Sequence, residues 1–334
     1  MTKNKTFIIA EAGVNHNGKL ELALQLCDAA KEAGADAVKF QTWKTEAIIT
    51  RTVAQAEYQI ENTGKTISQF DMLKALELSY SDFTKIKSYC DSIGILFLST
   101  ADERESLDFL LELGMPAVKI GSGEITNIPF LRYAGSRKKP VILSTGMSSL
   151  AEVDVAYRTL KDAGASNITL LHCTTNYPCP MNAVNLTAMQ TLHAAFKCPV
   201  GYSDHTVGDE VAIAAIALGA SVIEKHFTLD VTMQGPDHAA STNPKDFTAM
   251  VQKIRNIEKA LGIGIKLPSQ SETKISEVVL KRIVAKKKIS CGEKFSDDNI
   301  TVKRSSDGVS ASLWDTVIGL SAKKDFAEDE GIEL

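Results

Sequence analysis

Short runs rich in apolar and β-branched residues alternate along this chain with longer segments whose apolar residues recur at helical spacing. Eight such runs fall between residues 7 and 229, and helical segments separate them or follow the last one. Several helical segments end in glycine just before the next run, where a left-handed helix C-cap is expected. The runs are residues 7–12, 36–42, 95–100, 117–122, 140–145, 168–174, 199–205 and 221–229, and the clearest helical segments are 20–34, 81–94, 149–164, 208–219 and 243–262.

Regular alternation of strands and helices predicts parallel strands that are joined by helical crossovers. Eight such units predict an α/β fold of the (β/α)8 TIM-barrel type. The alternative is a doubly wound open sheet, which has fewer repeats and a glycine-rich dinucleotide turn after its first strand. Here the first run continues as "EAGVNHNG", which lacks that fingerprint, so the barrel is favoured.

The pattern changes after Gly264, where helical periodicity gives way to short β-like runs with turn residues between them. We predict a barrel domain over 1–264, a linker over 265–275 and a small β-rich domain over 276–334. The connection at 43–80 is unusually long, and loops of that length more often form lids or oligomer contacts than disordered segments.

The composition of the chain argues against several classes of function. The 334 residues carry a formal charge of −4, with no broad basic excess, which argues against nucleic acid or an anionic membrane as partner. No apolar stretch reaches the roughly 20 residues that span a bilayer, and the N-terminus does not resemble a secretory signal. The six cysteines form no CxxC pair, so we expect reduced thiols in a cytoplasmic protein.

Two histidines occupy equivalent positions at the ends of the last two predicted strands. In such barrels the active site lies at the carboxyl ends of the strands, where His205 and His226 fall. Side chains alternate along a strand, so Ser203 shares a face with His205 and Glu224 with His226. Two imidazoles without a closed set of thiolates predict a catalytic metal site with open positions, although a lone strand-end histidine is more often structural.

Two lysines and a glycine-rich turn predict an anion pocket nearby. Lys39 and Lys119 lie on strands 2 and 4, and "GSG" precedes Glu124. Backbone N–H groups of such a turn can surround a phosphate or carboxylate while the lysines supply positive charge. The alternative is that the lysines form structural ion pairs with Glu11 or Glu124. Cys173 is interpreted as a packing residue.

Several motifs at these positions resemble, in order, those of the sialic acid synthase family. They are "IAEAGVNHNG", "VKFQT", "KIGSGE", "ILSTGMSS", "HCTTNYP", "GYSDHT", "EKHFTLD" and "GPDHAAS", and "ISCGEKFSDDNITVKR" onward resembles the family's antifreeze-like (SAF) domain. The resemblance covers essentially the whole chain. It implies a TIM barrel followed by a SAF domain, exchanged between the subunits of a homodimer.

The resemblance also implies a reaction and a set of site residues. Family members condense phosphoenolpyruvate (PEP) with an N-acetylated mannose-type sugar. They require a divalent metal, for which manganese is expected and magnesium or cobalt are the alternatives. The matching motifs imply that His205 and His226 are the metal ligands. They also imply that a carboxylate guides the attacking water or its proton; Glu124 is the preferred candidate and Glu11 the second. The resemblance implies that PEP is bound by Lys39, Thr100, Lys119, Ser122, Ser144 and Ser203. It implies that the sugar is bound by Thr175, Tyr177, Asp237 and Arg304.

Departures from the family pattern bear on the sugar. Thr175 stands where bacterial N-acetylneuraminate synthases carry asparagine, and "HCTTNYPCPMNAVNL" resembles the legionaminate-forming branch, which takes 2,4-diacetamido-2,4,6-trideoxymannose. The alternative substrate is N-acetylmannosamine. More remote alternatives are a metal-dependent sugar isomerase or epimerase and a non-catalytic sugar-binding protein. The expected "KRPG" reads "KRSSDG" here, which weakens the assignment of Arg304.

Overall fold

The computed structural model describes residues 5–55, 60 and 67–334. The chain divides into two compact units, 1–263 and 264–334. Within the first, eight parallel strands of the described chain form a closed barrel in sequence order, so the predicted TIM barrel is confirmed. The strands are β1 Phe7–Gly13, β2 Ala37–Thr42, β3 Leu96–Ala101, β4 Val118–Ile120, β5 Val141–Ser144, β6 Ile168–His172, β7 Val200–Asp204 and β8 Val222–His226.

The helices of the first unit follow the predicted periodicity. Gly94 and Gly164 adopt the left-handed conformation at the ends of two of them, with φ of 71° and 113°, as the C-cap pattern predicts. Among the described residues of this unit, the helices are α1 Leu20–Glu32, α2 Thr45–Ile48, α3 Gln69–Leu76, α4 Tyr80–Ile93, α5 Arg104–Glu112, α6 Ile128–Ser136, α7 Leu150–Ala163, α8 Ala188–Phe196, α9 Glu210–Ala217 and α10 Pro244–Leu261.

Strands β4 and β8 fall furthest short of their predicted runs, and both end where the chain turns into the barrel mouth. β4 stops at Ile120 because Gly121 leads into a 3₁₀ helix, Ser122–Glu124. β8 stops at His226, and the chain leaves the sheet after it. Polar residues of both runs therefore lie beyond the sheet, at the carboxyl ends of the strands.

The apolar faces of the eight barrel strands and of helices α1 and α4 to α10 pack into one continuous core between the barrel and its helices. Phe40 and Phe97 stack at a ring-centroid distance of 6.1 Å on this core. This packing fixes the strands, and the strands in turn fix the polar residues at their ends.

The 43–80 connection contains α2, α3 and an antiparallel bridge between Ala54 and Ser68. A small satellite core of Val14, Trp43, Met72 and Leu76 holds its two helices to the barrel loops. Residues 56–59 and 61–66 lie outside the described residues, so the lid or oligomer contact stays a prediction.

The second unit contains helix α11 Gln270–Val279, strands β9 Lys281–Ala285 and β10 Ile300–Arg304, and the short helix α12 Trp314–Val317. β9 and β10 pair antiparallel over a core that includes Ile283, Ile289, Phe295 and Phe326. The predicted linker over 265–275 overlaps α11. Among the described helices, none is long and apolar enough to cross a membrane.

Candidate active site

Strand register places the polar residues of neighbouring strands side by side at the barrel mouth. In β8, β1 and β2, His226 pairs with Glu11 and Glu11 with Lys39. Ser203 pairs with Glu224 between β7 and β8. A cavity of about 170 Å³ lies among these ends, and eleven predicted site residues line it: Glu11, Lys39, Thr100, Lys119, Ser122, Ser144, Thr175, Tyr177, Ser203, His205 and His226.

Lys39 is buried in a network of oxygen partners. Its Nζ lies 2.6 Å from Glu11 Oε2 and donates to Thr100 Oγ1 at 2.9 Å, while both charged side chains are only 2% exposed. Burial disfavours the ammonium, but the carboxylates of Glu11 and Glu224 outweigh burial and raise the pKa of Lys39. Lys39 is therefore a fixed cation on the cavity wall.

Lys119 provides a second buried cation from β4. Its Nζ donates to Ser144 Oγ at 2.9 Å and lies 3.5 Å from Glu224 Oε1. Burial lowers the pKa of Lys119, and the nearby ammonium of Lys39 adds to this effect, which outweighs the opposing charges of Glu224 and Glu11. An incoming anion would supply the missing negative charge.

Glu224 connects the two lysines. Its Oε1 accepts from Ser203 Oγ at 3.2 Å, whereas its Oε2 is buried with no hydrogen-bond partner among the described residues. Burial favours its neutral form, but Lys119 and Lys39 outweigh burial and lower the pKa of Glu224. This carboxylate holds the two cations in register.

Two carboxyl groups of the cavity have pKa values near neutrality. Burial raises the pKa of Glu11 to about 7, even though Lys39 lies beside it and Gln41 Nε2 donates to it at 3.0 Å. Burial also raises the pKa of Asp102 to about 7, with Glu124 adding to the effect. Both groups can exchange a proton near neutral pH.

The two histidines face each other across the mouth, with ring centroids 5.4 Å apart. His205 Nδ1 donates to the Thr174 carbonyl at 2.7 Å, so its Nε2 carries the lone pair and lies 3.5 Å from Ser203 Oγ. Burial lowers the pKa of His205, and burial together with His205 lowers the pKa of His226 well below its ordinary range. The Tyr177 ring packs on both imidazoles, at 4.3 and 5.4 Å.

The donor set fits a divalent metal that takes two ligands, His205 and His226, from the described part of the chain. His226 Nδ1 is buried with no hydrogen-bond partner among the described residues, and both imidazoles are held neutral by burial. Neutral imidazole nitrogens are ligands for such ions. Within the described ranges, no cluster of three or more His, Cys, Asp or Glu side chains is arranged to hold a metal. Water and substrate would therefore supply the other ligands.

Three predicted site residues lie away from the cavity wall. Glu124 is half-buried on the 3₁₀ helix and accepts from Asn127 Nδ2 at 2.5 Å. Asp237 is buried behind His226, with Oδ2 3.9 Å from Nδ1, and burial raises its pKa to about 6. Arg304 ends β10 in the second unit with an exposed side chain.

Four cavity residues with a polar or thiol side chain are absent from the predicted site: Gln41, Asp102, Cys173 and Glu224. Glu224 and Gln41 carried a signal, because they share strand faces with His226 and Lys39. Asp102 lies beyond the end of β3, where alternation gives no direction. Cys173 was predicted to be a packing residue but lines the cavity.

A TIM barrel with two buried lysines and two neutral imidazoles around one cavity at the carboxyl ends of its strands defines an enzyme that acts on an anionic substrate. Comparison with family models identifies which one. Residues 26–266 match the NeuB family and residues 282–333 match the SAF domain. The chain belongs to the NeuB family, and the resemblance seen in the motifs is confirmed.

Individual relatives are similar over nearly the whole chain. N,N'-diacetyllegionaminic acid synthase of Campylobacter jejuni is 50% identical over 328 residues, 98% of each chain. The enzyme of the same name from Legionella pneumophila is 47% identical and covers 94% of this chain and 89% of its own. The crystal structure of N-acetylneuraminic acid synthetase from Leptospira borgpetersenii superposes with a TM-score of 0.73 at 37% identity, covering 82% of this chain and 91% of its own.

Proposed function

We propose that this enzyme condenses phosphoenolpyruvate with 2,4-diacetamido-2,4,6-trideoxymannose to give N,N'-diacetyllegionaminic acid and phosphate. The observation that carries the reaction class is the convergence of Lys39, Lys119 and two neutral imidazoles on one cavity. The choice of sugar is supported by the two relatives named as N,N'-diacetyllegionaminic acid synthases.

The two lysines would bind the two anionic groups of PEP. Each ammonium is already oriented by a hydroxyl group, Lys39 by Thr100 and Lys119 by Ser144, so little reorganisation accompanies binding. The phosphate would lie near Lys119 and Ser122, and the carboxylate near Lys39 and Thr100. Ser203 holds Glu224 between them.

His205 and His226 would hold the divalent ion, and manganese is the ion we propose. When bound, such an ion polarises the sugar's carbonyl oxygen toward attack. The chain's own part is to present two neutral nitrogens, and the Thr174 carbonyl fixes the tautomer of His205 for that purpose.

The bond changes require one carboxyl group to handle a proton. The enol carbon of PEP forms a bond to the aldehyde carbon, whose oxygen takes up a proton, and water then adds to C2 of the former PEP. That water loses one proton as it adds and its second proton as the C2–O bond to phosphate breaks, which releases phosphate and leaves a 2-keto acid. We propose Glu124 as the base, with Glu11 second. Burial raises the pKa of Glu124, and that of Glu11 is about 7.

Thr175, Tyr177, Asp237 and Arg304 are proposed to contact the sugar. Tyr177 and Thr175 line the cavity, and Asp237 lies beside His226. Arg304 would reach the site of a second subunit, as the family resemblance implies.

A homodimer is proposed on the same basis. The segment from Ile263 to Leu280 exposes seven large apolar side chains in the single chain, each between 40% and 68% accessible. An exposed apolar segment of this size is typical of an interface. Gel filtration with multi-angle light scattering tests it, and a monomeric mass would contradict it.

We also propose a cytoplasmic location for this enzyme. All six cysteines are free thiols, and five of them are buried. Such usage favours a reducing compartment.

The test is product identification after incubation with PEP, manganese and either candidate sugar. We expect phosphate release and a nine-carbon product from the diacetamido sugar, with far lower kcat/KM for N-acetylmannosamine. A strong preference for N-acetylmannosamine would favour the alternative, an N-acetylneuraminate synthase. Sugar turnover without PEP would favour an isomerase, and binding without turnover would favour a sugar-binding protein. Comparing Glu124→Gln with Glu11→Gln decides the base.

A further inference from the structure

One wall of the cavity contains a thiol that the proposed reaction does not use. Cys173 follows β6, is 5% exposed and lines the cavity. Its Sγ lies 3.2 Å from Ser122 Oγ, at the turn that we assign to the phosphate of PEP. The Gly146 N–H donates to the same Oγ at 3.0 Å.

Only glycine fits at position 146. A Cβ atom there would lie 2.4 Å from Thr175 Oγ1, 2.9 Å from Ser122 Oγ and 3.1 Å from Cys173 Sγ. The backbone therefore approaches all three side chains closely and fixes their mutual positions. Ser122 Oγ is held between an amide and a thiol, with its remaining direction toward the cavity.

The direction of the Ser122–Cys173 hydrogen bond determines whether Ser122 can donate into the cavity. A serine hydroxyl has one donor and two acceptor positions. The amide of Gly146 occupies one acceptor position on Ser122. If the Ser122 hydroxyl donates to Cys173 Sγ, it presents only lone-pair density to the cavity, which repels an anion. If the Cys173 thiol donates instead, the Ser122 hydrogen is free to point into the cavity.

We propose that Cys173 is a positioning residue: with PEP bound, its S–H donates to Ser122 Oγ, and the Ser122 O–H donates to the phosphate. This inference rests on the proposed function. In the free enzyme the hydroxyl donates to sulfur, so it is never left without a partner. The thiol suits this exchange because it is both a weak donor and a weak acceptor.

The surroundings of Cys173 keep it a thiol. Burial raises its pKa, and this outweighs the effect of Lys119, so the S–H hydrogen is present at neutral pH. Neither a thiolate nor a nucleophile is required, and no covalent step is involved.

Substitution separates this role from simple packing. Isothermal titration with PEP, on the full chain with manganese, should show Cys173→Ala weakening binding about 3- to 10-fold, the range of one hydrogen bond. Inorganic phosphate should be weakened alike. Cys173→Ser keeps a donor and should stay near wild type. Cys198→Ala, another buried cysteine outside the cavity, is the matched control and should leave both affinities unchanged.

A double-mutant cycle tests whether the effect passes through Ser122. In a Ser122→Ala background, Cys173→Ala should have no further effect on PEP affinity. An equal loss in both backgrounds would overturn the proposal, and so would wild-type affinity in Cys173→Ala.

The S–H stretching band gives a readout that packing alone would not move. In infrared difference spectra of wild type against Cys173→Ser, adding PEP should shift the Cys173 band to lower frequency as the thiol becomes a donor. An unchanged band overturns the inference. If wild type makes no product from PEP and the candidate sugars, the proposed function fails first, so the two failures are distinguishable.

Discussion

Ion pairs at the barrel mouth differ sharply from those of the second unit. Lys39 and Glu11 are each 2% exposed at 2.6 Å, whereas Lys324 and Glu330 in the second unit are 45% and 34% exposed at 3.1 Å. The first pair has hydroxyl and amide partners around it, and the second faces solvent.

The difference separates two uses of charge. Exposed pairs contribute little, because water and salt screen them and the side chains lose entropy. Buried pairs cost several kcal/mol of desolvation, so their geometry must be supported by further hydrogen bonds. The charged residues of the barrel mouth are buried, despite the desolvation cost, at the place where an anion is proposed to bind. In this molecule, buried charge therefore indicates the functional site.

Removing a buried cation should have the largest effect. Lys39→Met leaves Glu11 and Glu224 without their shared partner, so we expect the free energy of unfolding to fall by about 3–5 kcal/mol. We also expect the variant to lose PEP binding. Urea denaturation and titration with PEP measure the two. Lys324→Met in the second unit is the matched control and should change neither. Equal losses in both variants would refute the comparison.

Removing one imidazole should abolish turnover at little structural cost. Because His226 Nδ1 has no partner among the described residues, its loss removes a proposed ligand rather than a hydrogen bond. We expect His226→Ala to lower kcat/KM by about 10³-fold or more and to reduce bound manganese in metal analysis. His238 is a buried histidine that hydrogen-bonds Thr228, and it serves as the control. The His238→Ala variant should bind as much manganese as the wild type. Full metal content in His226→Ala would contradict the assignment.

The raised pKa of Glu11 predicts how stability changes with pH. The folded state holds this proton up to about pH 7, and the unfolded chain releases it near 4.5. The contribution is therefore complete below 4.5 and is lost as the pH rises to 7, by about 3 kcal/mol. Stability curves from pH 4.5 to 8 should be flatter by that amount in Glu11→Gln. Glu330→Gln should retain the wild-type slope, and parallel curves for all three proteins would exclude the assignment.

The smallest effect is expected on the surface of the second unit. Lys303 pairs with Asp329, and both side chains are about half exposed or more. Lys303→Ala should leave Tm and turnover unchanged within error in thermal denaturation and steady-state assays. A clear loss of turnover would place this surface in the functional assembly and blur the contrast with the mouth.

Much of the site follows from strand ends and alternation. His205, His226, Lys39 and Lys119 lie at the mouth because a parallel barrel collects the carboxyl ends of its strands there. Asp102 and Cys173 could not be assigned in this way. Both follow the last residue of a strand, where period-two alternation stops and the loop path sets direction.

The sequence alone determined the fold and the edge at which the chemistry gathers, because periodicity and strand order are local properties of the chain. Only the tertiary structure decided which charges meet. It paired Lys39 with Glu11 and placed Glu224 between both lysines. It also placed Glu124 where its carboxylate accepts a hydrogen bond from Asn127. Ion-pair partners and pKa values depend on cross-strand register and burial, which arise only when distant strands close into the barrel.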